Sequence, residues 1–466
     1  MRRLPVRCPP RLLLAGLAAI LATTATTATT AMAAVGAPGA GREVGAGHLA
    51  VGADDDGAIA ASVYSLPSTY FDAGAAAVFL AGVHAVDPRR ALVVLADGPQ
   101  IRALSAPAAR LGIQWIDTGD RHYSPWPRDP FSLTRDPHGR VVALVRPNLQ
   151  AGREGDATMG IDLVRGLPPA LDAAWGGARW ARAAVPFHNG QVLAAGGAAW
   201  MSLHTLEPRI LSSLGLARVP VASFSTAAGI DRYLAAARRA AAELAALYGR
   251  PARFVHPLPE SGTAAARAAL MARIGGGAGF DLDSLVTFLP GPARERALVA
   301  DVAAGRALLA GLGAGDWRAL AATYDLTADG LPAALAAAQR ERRPEALAGF
   351  LDLAAEHLRG EGLEVRRLPL LFVPTALLRD REGVAHADFL LTWNNVVVER
   401  RDGALRAEGF ASTIPAADAL AAAAFAAAGA RLDLLPPLVH SIVLNGGYRC
   451  ASNHLRALSP PARRRP

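Results

Sequence analysis

Lysine is absent from this chain of 466 residues, so all 48 of its Lys and Arg side chains are arginine. That excludes chemistry needing a lysine, such as a Schiff base or the lysine of a phosphate-binding loop. Cysteine is nearly absent too, with only Cys8 and Cys450. No His, Cys and Asp cluster has the spacing of zinc ligands, no glycine-rich phosphate loop occurs, and there is no Gly-x-Ser-x-Gly elbow. No metal or organic cofactor is therefore expected. A basic stripe with interleaved aromatic residues is also missing. The net charge of +8 comes in part from the first arginines and from Arg463, Arg464 and Arg465, so it does not point to nucleic acid.

What is present begins with an export signal. Arg2, Arg3, Arg7 and Arg11 precede an apolar run from Leu12 to Ala22, and small residues lead on to Ala31-Met32-Ala33. The pattern predicts a signal peptide over residues 1–33, cleaved near Ala33, and a periplasmic or secreted protein. The apolar run is too short to span a bilayer. No later stretch supplies about 20 apolar residues without charge or proline, so stable membrane association is not expected. Cleavage removes Cys8 and leaves Cys450 in a compartment where thiols pair or oxidise. An unpaired cysteine there is either a buried, inert side chain or a reactive one.

Residues 34–60 are rich in Gly and Ala, carry an acidic triplet at Asp54 and read as a disordered leader, and residues 458–466 read as a basic tail. The chain between them exceeds the usual single-core size, which predicts two domains or one large domain with internal repeats. A unit of strand, polar turn, strand, helix and strand does recur, which predicts an α/β fold with repeats. The first copy holds Ala77 to Leu80, Ala91 to Leu95, a helix through Arg102 to Leu111, and Ile113 to Ile116. The second runs from Trp180 to Phe187 and then from Gln191 to Ala194. The third centres on Phe280 to Phe288, with Ala297 to Val302 beyond. The fourth holds Leu363 to Arg366, His386 to Thr392 and Val396 to Glu399. The last has a helix from Ala416 to Ala427, then Leu432 to Leu435 and Ile442 to Leu444. Residues 61–457 form one repeated domain on this reading, with helical insertions near 229–250 and 316–360.

Each copy ends an apolar strand in polar residues, and two of these ends carry specific motifs. Trp126-Pro-Arg128-Asp129-Pro130 resembles the Trp-x-Arg-Asp motif of agmatine deiminases. Gly446-Gly447-Tyr-Arg-Cys450 resembles the Gly-Gly-x-x-Cys nucleophile turn near the C-terminus of the same guanidino-group-modifying (pentein) superfamily, which includes bacterial peptidyl-arginine deiminases. Leu363 to Pro369, Asp388-Phe389, Asn394 to Val398 and Asp418 are similar to the family's last third in order and rough spacing. The resemblance implies a five-bladed α/β propeller with pseudo-fivefold repeats, the number of units counted above. It also implies a Cys-dependent hydrolase, a deiminase, that acts on agmatine, an arginine derivative or peptidyl-arginine through a covalent thiouronium intermediate. An amidinotransferase, with an amine in place of water, or a catalytically altered guanidino-binding protein on the same fold are the alternatives.

A guanidinium is planar, cationic and resonance-stabilised, so a site must hold it with carboxylates and attack its carbon with a strong nucleophile. Cys450 fits the nucleophile, and Gly446 and Gly447 before it allow close backbone approach to a ligand. A bound guanidinium lowers a thiol pKa by proximity, and Arg449 is expected to add to this. Asp129 is the candidate for one clamping carboxylate, with Trp126, Arg128 and Gly447 as its companions in substrate binding. The family's His-x-Asp pair, an acid/base and a second clamp, matches His386-Ala-Asp388 literally. By blade order it falls on Asp281-Leu-Asp283, so Asp283 is the second clamp and Asp281 replaces the histidine. Either Asp281 with a raised pKa or His386 reaching in from the neighbouring blade supplies the acid. His188-Asn189-Gly190-Gln191 stands where deiminases show Glu-Gly-Gly-Asn.

Overall fold

Short runs of Val, Leu, Ile and Ala alternate with Ala-rich helical segments, and each strand–helix–strand passage closes a parallel strand pair. These pairings come from a computed structural model that describes residues 49–52, 57–146, 153–187, 190–216, 226–275, 281–291, 294–381 and 383–457. The expected signal peptide, most of the leader, the basic tail and His188-Asn189 lie outside the described residues.

The strands form five sheets among the described residues. In chain order, the first holds β1 (Ile59–Ser65), β2 (Ala91–Ala96) and β3 (Gln114–Asp117), and the second β4 (Phe131–Arg135), β5 (Val141–Val145) and β6 (Arg179–Arg182). The third holds β7 (Val192–Ala195), β8 (Ala198–Met201) and β9 (Ala252–Phe254). The fourth holds β10 (Val286–Leu289), β11 (Arg296–Asp301), β12 (Glu364–Pro374) and β13 (Asp388–Thr392), and the fifth β14 (Val397–Arg401), β15 (Ala404–Phe410) and β16 (Arg431–Leu435). The last strand, β17 (Ser452–Arg456), returns to the first sheet and pairs with β1 antiparallel. Each sheet thus repeats one pattern, an antiparallel pair followed by a parallel neighbour: β17-β1-β2, β4-β5-β6, β7-β8-β9, β10-β11-β12 and β14-β15-β16.

The crossover helices are set by ordinary local signals. Asp72, Thr226 and Asp301 each accept a backbone N–H at the start of Ala73–Val86, Ala227–Tyr248 and Val302–Gly311. Gly249, with φ of 62°, ends the second of these in a left-handed turn. The helices of the two expected insertions are Ala227–Tyr248, Ala314–Thr323, Leu331–Ala338 and Arg342–Gly360. No helix among the described residues is long and apolar enough to cross a membrane.

Three expectations need correction. Ala77 to Leu80 is not a strand but the middle of Ala73–Val86, where Ala76, Phe79, Leu80 and Val83 make a helical stripe that packs inward. Ile442 to Leu444 belongs to a short helix, Val439–Val443, rather than a strand. The leader is shorter than residues 34–60: Leu49 and Val51 are buried, the Val51 N–H donates to the Leu247 carbonyl at 3.0 Å, and β1 begins at Ile59.

Candidate active site

The first strands of the five repeats, β4, β7, β10, β14 and β17, are each entered through a polar segment. Into β4 runs the turn Trp126 to Asp129, closed by the Asp129 N–H on the Trp126 carbonyl at 3.2 Å. Gly190 precedes β7, Asp281 to Ser284 precede β10, Asn394 and Asn395 precede β14, and Gly446 to Cys450 precede β17. Hydrogen bonds join these entries across sheets. Asn453 Nδ2 donates to the carbonyls of Pro127 (3.1 Å) and Phe131 (2.7 Å), and the Asp283 N–H to Gly190 (3.0 Å). Thr287 Oγ1 donates to the Asn394 carbonyl at 2.8 Å, and Asn395 Nδ2 to Ser284 Oγ at 3.1 Å.

Cys450 is buried at this meeting point. Asn395 grips it twice: its Oδ1 accepts the Cys450 N–H at 3.2 Å, and its Nδ2 lies 3.2 Å from Sγ. On the other side Sγ is 3.5 Å from Asp283 Oδ2, within reach of an S–H donor. The two glycines are required by approach rather than by backbone sign. A Cβ on Gly446 would lie 1.8 Å from the indole nitrogen of Trp126, and one on Gly447 2.4 Å from Asn395 Cβ. The left-handed positions fall on neighbours instead, with φ of 66° at Asn445 and 48° at Asp281. Two non-glycine residues in that conformation, one in each of the segments before β10 and β17, mark backbone whose geometry is imposed by its surroundings.

Arginines hold the buried carboxylates. Arg449 Nη1 is 2.9 Å from Asp283 Oδ2, while Asp283 Oδ1 is buried without a hydrogen-bond donor among the described residues. Arg153 Nη1 is 2.6 Å from Asp129 Oδ2, and its guanidinium carbon sits 4.9 Å from the centroid of the Trp126 ring. Burial pushes the Asp281 carboxyl well up, and the charges of Asp283 and Asp129 push the same way against Arg153. Asp283 is also raised by burial, with Arg449 working against it. Burial raises the Cys450 thiol well above its ordinary value, and Asp283, Asp129 and Asp281 add to this in that order. Arg449 is paired with Asp283, and the net direction for the thiol is upward.

The structure therefore brings Cys450, Asp129, Asp281, Asp283, Trp126, Arg128 and Gly447 together; Arg128 is buried and its charge acts on Asp283. His386 and Asp388 make their contacts elsewhere. His386 Nε2 meets the Val443 carbonyl at 2.6 Å, and the Asp388 carboxylate pairs with Arg343. Asp388 opens β13, which lies on the far edge of its sheet beyond β12 and is not one of the first strands of the five repeats. The residues that sequence reasoning did not assign are Asn395 and Arg153. The polar pair Asn394-Asn395 just before an apolar strand was a signal for the first. Among the described residues no group of His, Cys, Asp and Glu is arranged to hold a metal ion.

No protein-family profile matches the chain, and no curated protein matches it. Among solved structures it is similar to an agmatine deiminase of Enterococcus faecalis, at a TM-score of 0.48 and 11% identity over 87% of this chain and 95% of that one. It is also similar to a candidate agmatine deiminase, at a TM-score of 0.49 and 12% identity over 88% of this chain and 96% of that one. At such identity and score the likeness carries no argument, and the functional reading rests on the site.

Proposed function

We propose that the chain is a cysteine-dependent guanidino hydrolase, a deiminase of the pentein type, and that its five sheets are the blades of a propeller around one central site. The observation that carries this reading is the convergence of one buried thiol with Asp129, Asp281 and Asp283, supplied by three separate strand entries. Buried carboxylates around a thiol are a poor environment for a neutral or anionic substrate and a good one for a planar cation with paired N–H donors. The orphan Oδ1 of Asp283 is an acceptor awaiting such a donor.

The same electrostatics explain how the thiol is activated. In the free protein burial, with the carboxylates adding to it, keeps Cys450 protonated. A bound guanidinium reverses the sign of the local field and releases the thiol proton, so the nucleophile forms only with substrate in place. Sγ then attacks the guanidinium carbon. A C–N bond breaks as an acid of the centre gives its proton to the departing nitrogen, and ammonia leaves a thiouronium on Cys450. Water, losing a proton to the same group, adds to that carbon; the C–S bond breaks, and the ureido product departs. Export of the protein, read from residues 1–33, is proposed with this activity; N-terminal sequencing of the mature chain tests it.

The direct test is release of ureido product from agmatine, free arginine and peptidyl-arginine. Cys450→Ser is expected to abolish turnover on every substrate while leaving thermal unfolding within a few degrees, since the side chains differ little in volume. Turnover by the serine variant at the wild-type rate would remove Cys450 from the chemistry.

A further inference from the structure

The deiminase reading needs three carboxyl groups at one centre to hold different charges at the same pH. Three neighbouring carboxylates, two of them buried, cannot all ionise unless cations stand beside them. Among the described residues two make ion-pair contact with them. Arg449 meets Asp283 from the nucleophile turn. Arg153 meets Asp129 from the segment that follows β5.

Arg153 is firmly pinned. Its Nε and Nη2 reach Asp156 Oδ2 at 2.8 and 2.7 Å, and Nη2 also donates to Ser124 Oγ at 2.7 Å. Asp156 is buried and fixed in turn by the Ser124 N–H and O–H, each at 2.8 Å. With those donors committed, Nη1 is aimed at Asp129, and the flat of the guanidinium lies over Trp126. Among the described residues no arginine stands within ion-pair distance of Asp281, although Asp281 shares the centre with both other carboxyls.

We propose that Arg153, together with Arg449, sorts these three groups: Arg153 holds Asp129 and Arg449 holds Asp283 as the anions that receive the substrate guanidinium, and Asp281 remains the carboxylic acid that protonates the departing nitrogen. Arg153 is a positioning residue, acting through Asp129. Among the described residues the charges around Asp129 include Arg128 from its own turn, Arg153, Arg146 and Asp156 from the β5 side, Asp281 and Asp283 from the turn before β10, and Cys450 from the turn before β17. Loss of Arg153 removes a cation in direct contact with Asp129. The proton given up by Asp281 as the C–N bond breaks is recovered from the attacking water, so the acid is restored each cycle.

This inference rests on the deiminase reading, and its test keeps the two apart. Cys450 is alkylated with 2-chloroacetamidine, a cation, and with iodoacetamide, which is neutral, and the ratio of the two rates is measured from pH 5 to 9. Arg153→Gln is expected to lower the wild-type preference for the cation at least about tenfold. It should also move the acid limb of the kcat/KM profile upward, because Asp129 then protonates at higher pH. Arg153→Lys, which keeps the charge, should restore most of the preference. Asp281→Asn should keep the preference within about threefold while kcat falls about a hundredfold, the lower range for loss of a general acid. An unchanged preference and acid limb in Arg153→Gln, a lysine variant no better than the glutamine one, or full turnover by Asp281→Asn overturns the assignment. A wild type with no preference for the cation overturns the deiminase reading and this inference with it.

Discussion

The glycine before Tyr448 shows how tightly single atoms are placed. A methyl group on Gly447 would meet Asn395 at Cβ, Cγ and Oδ1, all within 2.6 Å. Asn395 is the side chain that holds both the N–H and the sulfur of Cys450. Gly447→Ala is therefore expected to cost about 1–3 kcal/mol of stability from overpacking. It should also lower kcat/KM at least tenfold, because Asn395 cannot yield without releasing the nucleophile; urea unfolding and the ureido assay read the two effects separately. At this scale Cys450 and Asp129 were legible because their motifs are contiguous in sequence. Asp281 and Asp283 were legible through the order of the strands. Asn395 and Arg153 were not assigned roles, because each acts only through a contact with a distant segment. The rise of the thiol in the free protein was not legible for a related reason: it comes from burial and from Asp283, Asp129 and Asp281, which distant segments supply.

The turn before β17, as an element, is supported from behind as well as from the front. Tyr448 is fully buried, and its hydroxyl lies 3.0 Å from both Tyr64 Oη and Glu408 Oε2. Glu408 in turn takes Arg90 Nη1 at 2.6 Å and Nη2 at 2.5 Å, and neither side chain is exposed. The turn that carries Cys450 is thus tied to β15 and to the chain just before β2, and the packing of Phe79 and Phe410 around the Tyr448 ring completes the mount. Tyr448→Phe keeps the ring but leaves Glu408 one donor short. The expected cost is about 2 kcal/mol, the range for a hydrogen bond to a charged group, read as a lower urea midpoint with an unchanged slope. The repeated strand and helix pattern was legible from the sequence, but two runs expected as strands, Ala77 to Leu80 and Ile442 to Leu444, belong to helices. The Ala77 to Leu80 run is too short for its apolar residues to separate helix from strand. The run from Asp388 to Thr392 is the expected strand, and only its pairing with β12 shows that it lies at the far edge of its sheet.

For the molecule as a whole, buried histidines set the response to acid. His256 is buried, its Nε2 accepts the Leu203 N–H at 3.1 Å, and burial lowers its pKa from 6.5 to about 4. His454 is pushed well below its ordinary value by burial and by the positive charge of Arg90 and Arg456. Between 6.5 and about 4 the unfolded chain binds a proton at His256 that the native state refuses, so stability falls as pH falls through that window. The raised carboxyls Asp281 and Asp283 act in the opposite sense, since acidification relieves their burial. His256→Gln removes one contribution cleanly. Between pH 7 and pH 4 the variant should lose about 3 kcal/mol less than the wild type, as measured by urea unfolding at each pH.

The pairing of β17 with β1 also has a consequence for biosynthesis. Ser62 on β1 bonds to His454 on β17, a partner made 392 residues later. At ordinary translation speeds β1 waits on the order of half a minute with one edge unpaired, which is a template for wrong pairing and a natural hold point for a chaperone. Cys450 lies immediately before that closing strand. The thiol therefore gains its carboxylate surroundings and its Asn395 grip only when the first and last strands meet, so an unfinished chain carries an ordinary cysteine, and the reactive centre is assembled in the same event that closes the fold.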